Sequence, residues 1–223
     1  TQEIGRARSQ AANLQEVLQA QPALGPLAPL SISLALHLVR NPNFGTQLHL
    51  EDVAPILEEA AAIWQQAGIQ LQDKGCQELA LADSALMAAL PSESGDRGRK
   101  PSFAPLTASP GYKIGSLNVY LLSKVTSAQG GQRFLSVQDK PSRIILMRDQ
   151  DATLARTLAS FLELPPNDFS SPESLRGQGE GVTLLPLEIE KAREEVKRLF
   201  PAFSFPLKLG VSGFPGCGDS GIA

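Results

Sequence analysis

The segment that most narrows the fold is Arg143 to Met147, where Ile144, Ile145 and Leu146 stand together without a polar break. A strand with one wet face alternates apolar and polar residues. A short run without alternation suits a strand buried on both faces, and such strands belong to sheets covered by helices. The rest of the chain supplies both kinds of element. Ser31 to Val39 places Ile32, Leu34, Leu36 and Leu38 on one side and Ser33, Ala35, His37 and Val39 on the other. That period of two predicts a strand, closed by the turn residues Asn41-Pro42-Asn43. Val53, Ile56, Leu57, Ala60, Ile63, Trp64 and Ala67 recur at three and four, one continuous helical face, with Gly68 placed to stop it. Ile69 to Leu71 begins a further strand, and Leu117 to Leu122 reads as another.

After the Ile144 run, Asp149 or Asp151 is expected to cap a helix carrying Leu154, Leu158, Phe161 and Leu162, which Pro165-Pro166 ends. Pro186 opens the last helix, with Glu188 and Glu190 early and Lys197 and Arg198 late, as the helix dipole prefers. Its core stripe is Ile189, Ala192, Val196, Leu199 and Phe200. The expected organisation is one α/β (α+β) domain over residues 30–200, a mixed twisted sheet with two long helices packed on it. Residues 1–29 form an N-terminal helix, with Ile4, Leu14, Val17 and Leu18, and a connector stiffened by Pro22, Pro26 and Pro29. Residues 91–113, rich in Pro, Gly, Ser and charge, read as a loop insertion, and 201–223 as a C-terminal tail. Only 5% of residues are aromatic, so Leu, Ile, Val and Ala must build the core, with Trp64 as an anchor.

Charge and ligand inventory exclude several function classes. A net charge of −3 offers no basic stripe for nucleic acid. No apolar run approaches the ~20 residues of a membrane-spanning helix. There are two histidines, His37 and His49, and two cysteines, Cys76 and Cys217, with no CxxC, HxxxH or HxH spacing, so no cofactor is expected. The cysteines either form one bridge or remain two free thiols. His37 reads as an edge or hydrogen-bonded histidine, and His49 as a neighbour of the following helix start. Gly218-Asp219-Ser220-Gly221 resembles the surroundings of a serine nucleophile, but no histidine stands in a matching context, and a turn is the better reading. Arg97, Arg99 and Lys100 read as a solvated loop, and Gly177 to Gly181 lacks the setting of a phosphate loop.

The order of elements, with Ala62-Ile63-Trp64-Gln65-Gln66-Ala67-Gly68-Ile69, Asn118-Val119-Tyr120, Ile144-Ile145-Leu146 leading into Thr153-Leu154-Ala155, Leu162-Glu163-Leu164-Pro165-Pro166-Asn167, Gly181-Val182-Thr183-Leu184 and Glu188 to Arg193, resembles the metzincin-type zinc metalloproteases over roughly residues 30–200. Such domains run strand, long helix, strands, active-site helix, loop, final helix. Laid on the family's motif H-E-x-x-H-x-x-G-x-x-H, residues Arg156 to Pro166 put Arg156, Ser160 and Pro166 at the zinc-ligand positions, Thr157 at the general base and Glu163 at the turn glycine. The methionine turn falls near Leu175-Arg176 without its methionine. Zinc lowers the pKa of bound water to about 7 and a carboxylate takes the proton; Thr157 has no carboxylate, and Arg156 adds a permanent positive charge.

The resemblance therefore implies a catalytically inactive protease-like domain, with no metal and no catalytic residue. Arg156, Thr157, Ser160, Glu163 and Pro166 would line a groove that binds a protein or peptide segment. Arg156 is expected to pair with Glu163, Asp168 or Glu173. The family implies a secreted or cell-envelope setting, with a cytoplasmic one still open. Two alternatives stand beside it: an unrelated soluble α/β adaptor domain, for which Arg156, Ser160 and Glu163 are the wet face of an amphipathic helix, and a hydrolase using non-family residues.

Overall fold

The computed structural model describes residues 27–90, 100–125, 136–149, 153–164, 174–176 and 181–201. Among them, five strands form one sheet: β1 (Leu30–Arg40), β2 (Ile69–Ala80), β3 (Leu117–Leu122), β4 (Ser136–Asp139) and β5 (Ile144–Arg148), in the order β2-β1-β3-β5-β4. All neighbouring pairs are parallel except β4, which runs antiparallel to β5 at one edge. The helices are α1 (Val53–Gln65), α2 (Asp83–Ala89), α3 (Ala104–Thr107), α4 (Leu154–Phe161) and α5 (Pro186–Leu199). A mixed α/β architecture with a mostly parallel sheet is what the strand patterns call for. No helix among the described residues is long and apolar enough to cross a membrane.

The sheet is covered on both faces, which explains why β3 and most of β5 are buried without alternation. Ile32, Leu34, Leu36 and Leu38 of β1 join Leu117, Val119, Leu121, Ile145 and Met147 in a core shared with Ile63 and Trp64 of α1, Leu158 and Phe161 of α4, and Ile189 and Val196 of α5. On the opposite face, Val39, Tyr120, Leu122, Ile144 and Leu146 pack with Leu86 of α2 and with Phe103 and Leu106 beside and within α3. Gly68 ends the α1 turn at φ +63, and Arg193 of α5 donates to Ala67 O (2.7 Å) and Ala28 O (2.8 Å), tying that turn to the approach into β1. Gln66 holds the segment before α5, donating to Val182 O (2.8 Å) and accepting from Leu184 N (3.1 Å). The edge strand β2 is bulged opposite Leu34 and Leu36, with Gly75 at φ +106; a bulge there bends the edge away from further pairing.

Several expectations are corrected. His37 is on a central strand, not an edge, and is 1% exposed; the hydrogen-bonded alternative holds. The cap of α4 is Thr153, whose Oγ1 accepts from Arg156 N (3.3 Å), and not Asp149, which accepts from the Thr46 hydroxyl; Asp151 lies outside the described residues. The excursion expected over 91–113 is not all loop, because α3 docks Phe103 and Leu106 into the second core, and α2 lies just before it. Strand β4 carries no apolar pattern, so composition did not mark it. The expected N-terminal helix, Pro165-Pro166, Cys217, the GDSG stretch and the tail beyond Pro201 lie outside the described residues.

Candidate functional site

Helix α4 is short because its end is forced. Glu163 N donates to Ser160 O (3.1 Å) and Leu164 N to Ala159 O (3.0 Å), with Glu163 at φ 54. That pair of bonds around one left-handed residue is the Schellman ending, usually built on glycine because a Cβ is strained there. The helix therefore stops at the position laid on the family's turn glycine, before Pro165 is reached.

Thr157, Ser160 and Glu163 recur every three residues along one side of α4 and its end. Thr157 is buried, and its carbonyl is approached by Gln138 Nε2 of β4 at 3.5 Å. Ser160 accepts a hydrogen bond from Arg176 Nη1 at 2.6 Å. The Glu163 carboxylate pairs with Lys140 Nζ at 2.5 Å, in the turn between β4 and β5. The side of α4 that carries these residues is thus in contact with the β4 end of the sheet, through Gln138 and Lys140.

Arg176 reaches Ser160 from a segment whose backbone is fixed. Leu175 N donates to Thr183 O (2.8 Å), Ser174 pairs with Thr183, and Ser174 Oγ donates to Glu188 Oε1 (3.1 Å) while accepting from Arg176 N (3.2 Å). Glu188 is itself buried and caps α5 through Leu185 N (2.7 Å). Nearby, Lys140, Lys191 and Arg198 surround the buried Glu195 carboxylate, and hydrogen bonding from Arg198 leads the effects that hold its pKa below the usual carboxylate range.

Of the residues expected to line the groove, Thr157, Ser160 and Glu163 lie along α4 and its end but meet three different partners, Thr157 is buried, Arg156 is half-buried on the same helix, and Pro166 lies outside the described residues. The expected Arg156–Glu163 pair is not the one made by Glu163, whose carboxylate sits on Lys140; Asp168 and Glu173 lie outside the described residues. Gln138, Lys140 and Arg176 were missed. Only Arg176 had a pointer, its place in the segment laid on the methionine turn.

The donor set does not fit zinc. Ser160 is engaged by a guanidinium, Thr157 offers no carboxylate, and no group of three or more His, Cys, Asp or Glu among the described residues could hold a metal ion. A separate groove of about 680 Å³ opens along α5, lined by Leu27, Leu187, Arg193 and Lys197 among others. Thr157, Ser160 and Glu163 are not among its lining residues. Cys76 lies beside the β2 bulge, where burial pushes its thiol up to about 11, so it is a weak nucleophile at neutral pH. No family model matches the chain, and no curated protein does.

Proposed function

We propose that the chain is a catalytically silent protein of metzincin-like build that holds an extended segment of another protein along β4 without cutting it. The observation that carries this reading is Glu163 at φ 54. A left-handed turn costs a side-chain-bearing residue ~1–2 kcal/mol. A turn suited to glycine, persisting under a glutamate at the motif's glycine position, is what descent from that motif would leave. The order strand, long helix, strands, short helix, final helix supports it, as does the contact of β4 with α4. With Thr157 where a general base would act and Arg176 bonded to Ser160, this side of α4 carries no machinery to activate water. The outer edge of β4 has no strand beside it among the described residues, so its N–H and C=O groups suit strand addition.

The test is to incubate the purified chain with mixed peptides and added zinc. The expected result is intact peptides retained, no fragments released, less than stoichiometric zinc, and slowed amide exchange over 136–139. Zinc-dependent cleavage would overturn the silent reading, and unchanged exchange in β4 would overturn the groove.

A further inference from the structure

We infer that the groove along α5 is the seat of the chain's own N-terminal segment, which lays Ile4, Ala7, Ala11, Leu14 and Leu18 against it as one helical stripe. None of the groove's lining residues belongs to β4, so this surface and the β4 edge are tested separately. The groove holds about 680 Å³, and its apolar part is made by Leu27, Pro186, Leu187 and Ile189. Leu187 is 68% exposed, although α5 turns Ile189, Ala192 and Val196 into the core. Farther along the same helix, Glu190, Glu194 and Lys197 form a charged rim. An amphipathic occupant suits such a surface, with its apolar side on Leu27 and Leu187 and its polar side toward the rim and water.

The chain itself enters this groove. Leu27 is the first described residue and also one of the lining residues. Its place is fixed, because Arg193 donates to Ala28 O (2.8 Å) and a Cβ on Gly68 would meet the Leu27 Cβ at 3.2 Å. Residues 1–26 come before it. Read at helical spacing, they align Ile4, Ala7, Ala11, Leu14 and Leu18 on one side, with Arg6, Ser9, Asn13 and Glu16 opposite. That stripe is about 22 Å long, and the 14 residues of α5 span about 21 Å. The connector from Gln19 to Pro26 reaches at most about 27 Å, enough to bring the stripe to any level of α5. Tethering also decides between occupants. A segment on so short a linker meets the groove at an effective concentration of about 1 mM, above that of a free partner or a second copy.

The experiment uses the full chain with photoreactive benzoylphenylalanine in place of Leu187, in an equal mixture of light and isotope-labelled protein. After irradiation, mass spectrometry should find position 187 joined to residues 4–18 of the same molecule. Leu14→Asp combined with Leu18→Asp should cut that yield about fivefold or more. Stability gives a second readout. On an open surface, an aspartate at 187 is close to neutral, since the first turn of a helix favours negative charge. With the groove occupied, Leu187→Asp and Leu18→Asp should each lower the folding equilibrium about fivefold, and the double variant should fall little further. Cross-links that join light to labelled molecules would overturn the inference in favour of a second copy. Absence of any cross-link to residues 1–26, or a neutral Leu187→Asp, would also overturn it.

Discussion

The two faces of the sheet are held by different forces. On the face covered by α1, α4 and α5, the centre is apolar: Trp64, Phe161, Ile63, Leu34 and Leu36 are fully enclosed. On the face covered by α2 and α3, a polar group sits in the middle. His37 Nε2 lies 3.1 Å from Asn118 Oδ1, Gln77 Nε2 lies 3.3 Å from His37 Nδ1, and the imidazole packs on Tyr120 at 4.5 Å. Asn118 also accepts from Lys113 N (2.8 Å) and donates to Lys113 O and Ser116 O (3.0 Å each). Apolar burial is strong but non-directional, and tolerates sliding. The Asn118 bonds close only when β3 lies beside β1 in its observed register and the 113–116 turn is in place. One face supplies most of the stabilisation, and the other selects the register.

The comparison breaks first if truncation hurts the two faces equally. Trp64→Ala is expected to cost about 3–5 kcal/mol, through lost transfer and a large cavity, read as a lower urea midpoint at unchanged slope. Asn118→Ala is expected to cost less, about 2–3 kcal/mol, because it strips His37 of its acceptor inside a closed layer while Lys113 can turn to water. Its distinctive mark should be faster amide exchange over 113–122. An Asn118→Ala loss below about 1 kcal/mol with unchanged exchange would remove the polar network from its register role.

The difference between the faces also decided what could be read from the residues. The helix-covered face was legible because Ile32, Leu34, Leu36 and Leu38 alternate, and Ile56, Ala60, Ile63 and Trp64 repeat at helical spacing. The second face was not. Its covering helices are seven and four residues long, too short for a period to show, and Pro105 sits inside α3. Phe103 and Leu106 are scattered apolar residues in a polar stretch, and only burial reveals them as core. The surroundings of α4 were half legible. Thr157, Ser160 and Glu163 follow from helical spacing, whereas Gln138, Lys140 and Arg176 arrive from distant segments and no local pattern announces them.

pH separates the faces again. Burial, opposed by the Asn118 bond and reinforced by the nearby Lys113 charge, lowers the His37 pKa below its ordinary 6.5. Between the folded pKa and 6.5 the unfolded chain binds the extra proton. His37 therefore contributes stability that is complete above pH 6.5 and is lost as pH falls through that window, with a slope of at most ~1.4 kcal/mol per pH unit. Gln77, Asn118 and Tyr120 face the ring directly and none of them becomes charged in that range. The carboxylates of Glu78, Asp83 and Glu195, all held low by hydrogen-bonding partners, lose their contributions only at more acid pH. Urea titrations between pH 7.5 and 5.5 should show the decline in the unaltered chain and a flatter profile in His37→Gln. Parallel profiles would place the pH sensitivity elsewhere.

The smallest expected effect belongs to the apolar face, at the end of α4. Glu163 combines two opposing contributions: a left-handed backbone that disfavours any Cβ, and an ion pair with Lys140 across to the β4–β5 turn. The Glu163 side chain is 60% exposed, so the pair is screened and contributes ~0–1 kcal/mol. Glu163→Ala removes the pair and keeps the strain. Glu163→Gly removes both, at the cost of a more flexible unfolded chain. Because the pair is lost in both variants, their difference isolates the backbone, and the glycine variant should be the more stable by about 1 kcal/mol. Set against the unaltered chain, Glu163→Gly should be close to neutral. A glycine variant no better than the alanine one would mean that the turn is not held left-handed in solution. The helix end would then be an ordinary fraying terminus, and the observation that supports a metzincin-like build would be lost.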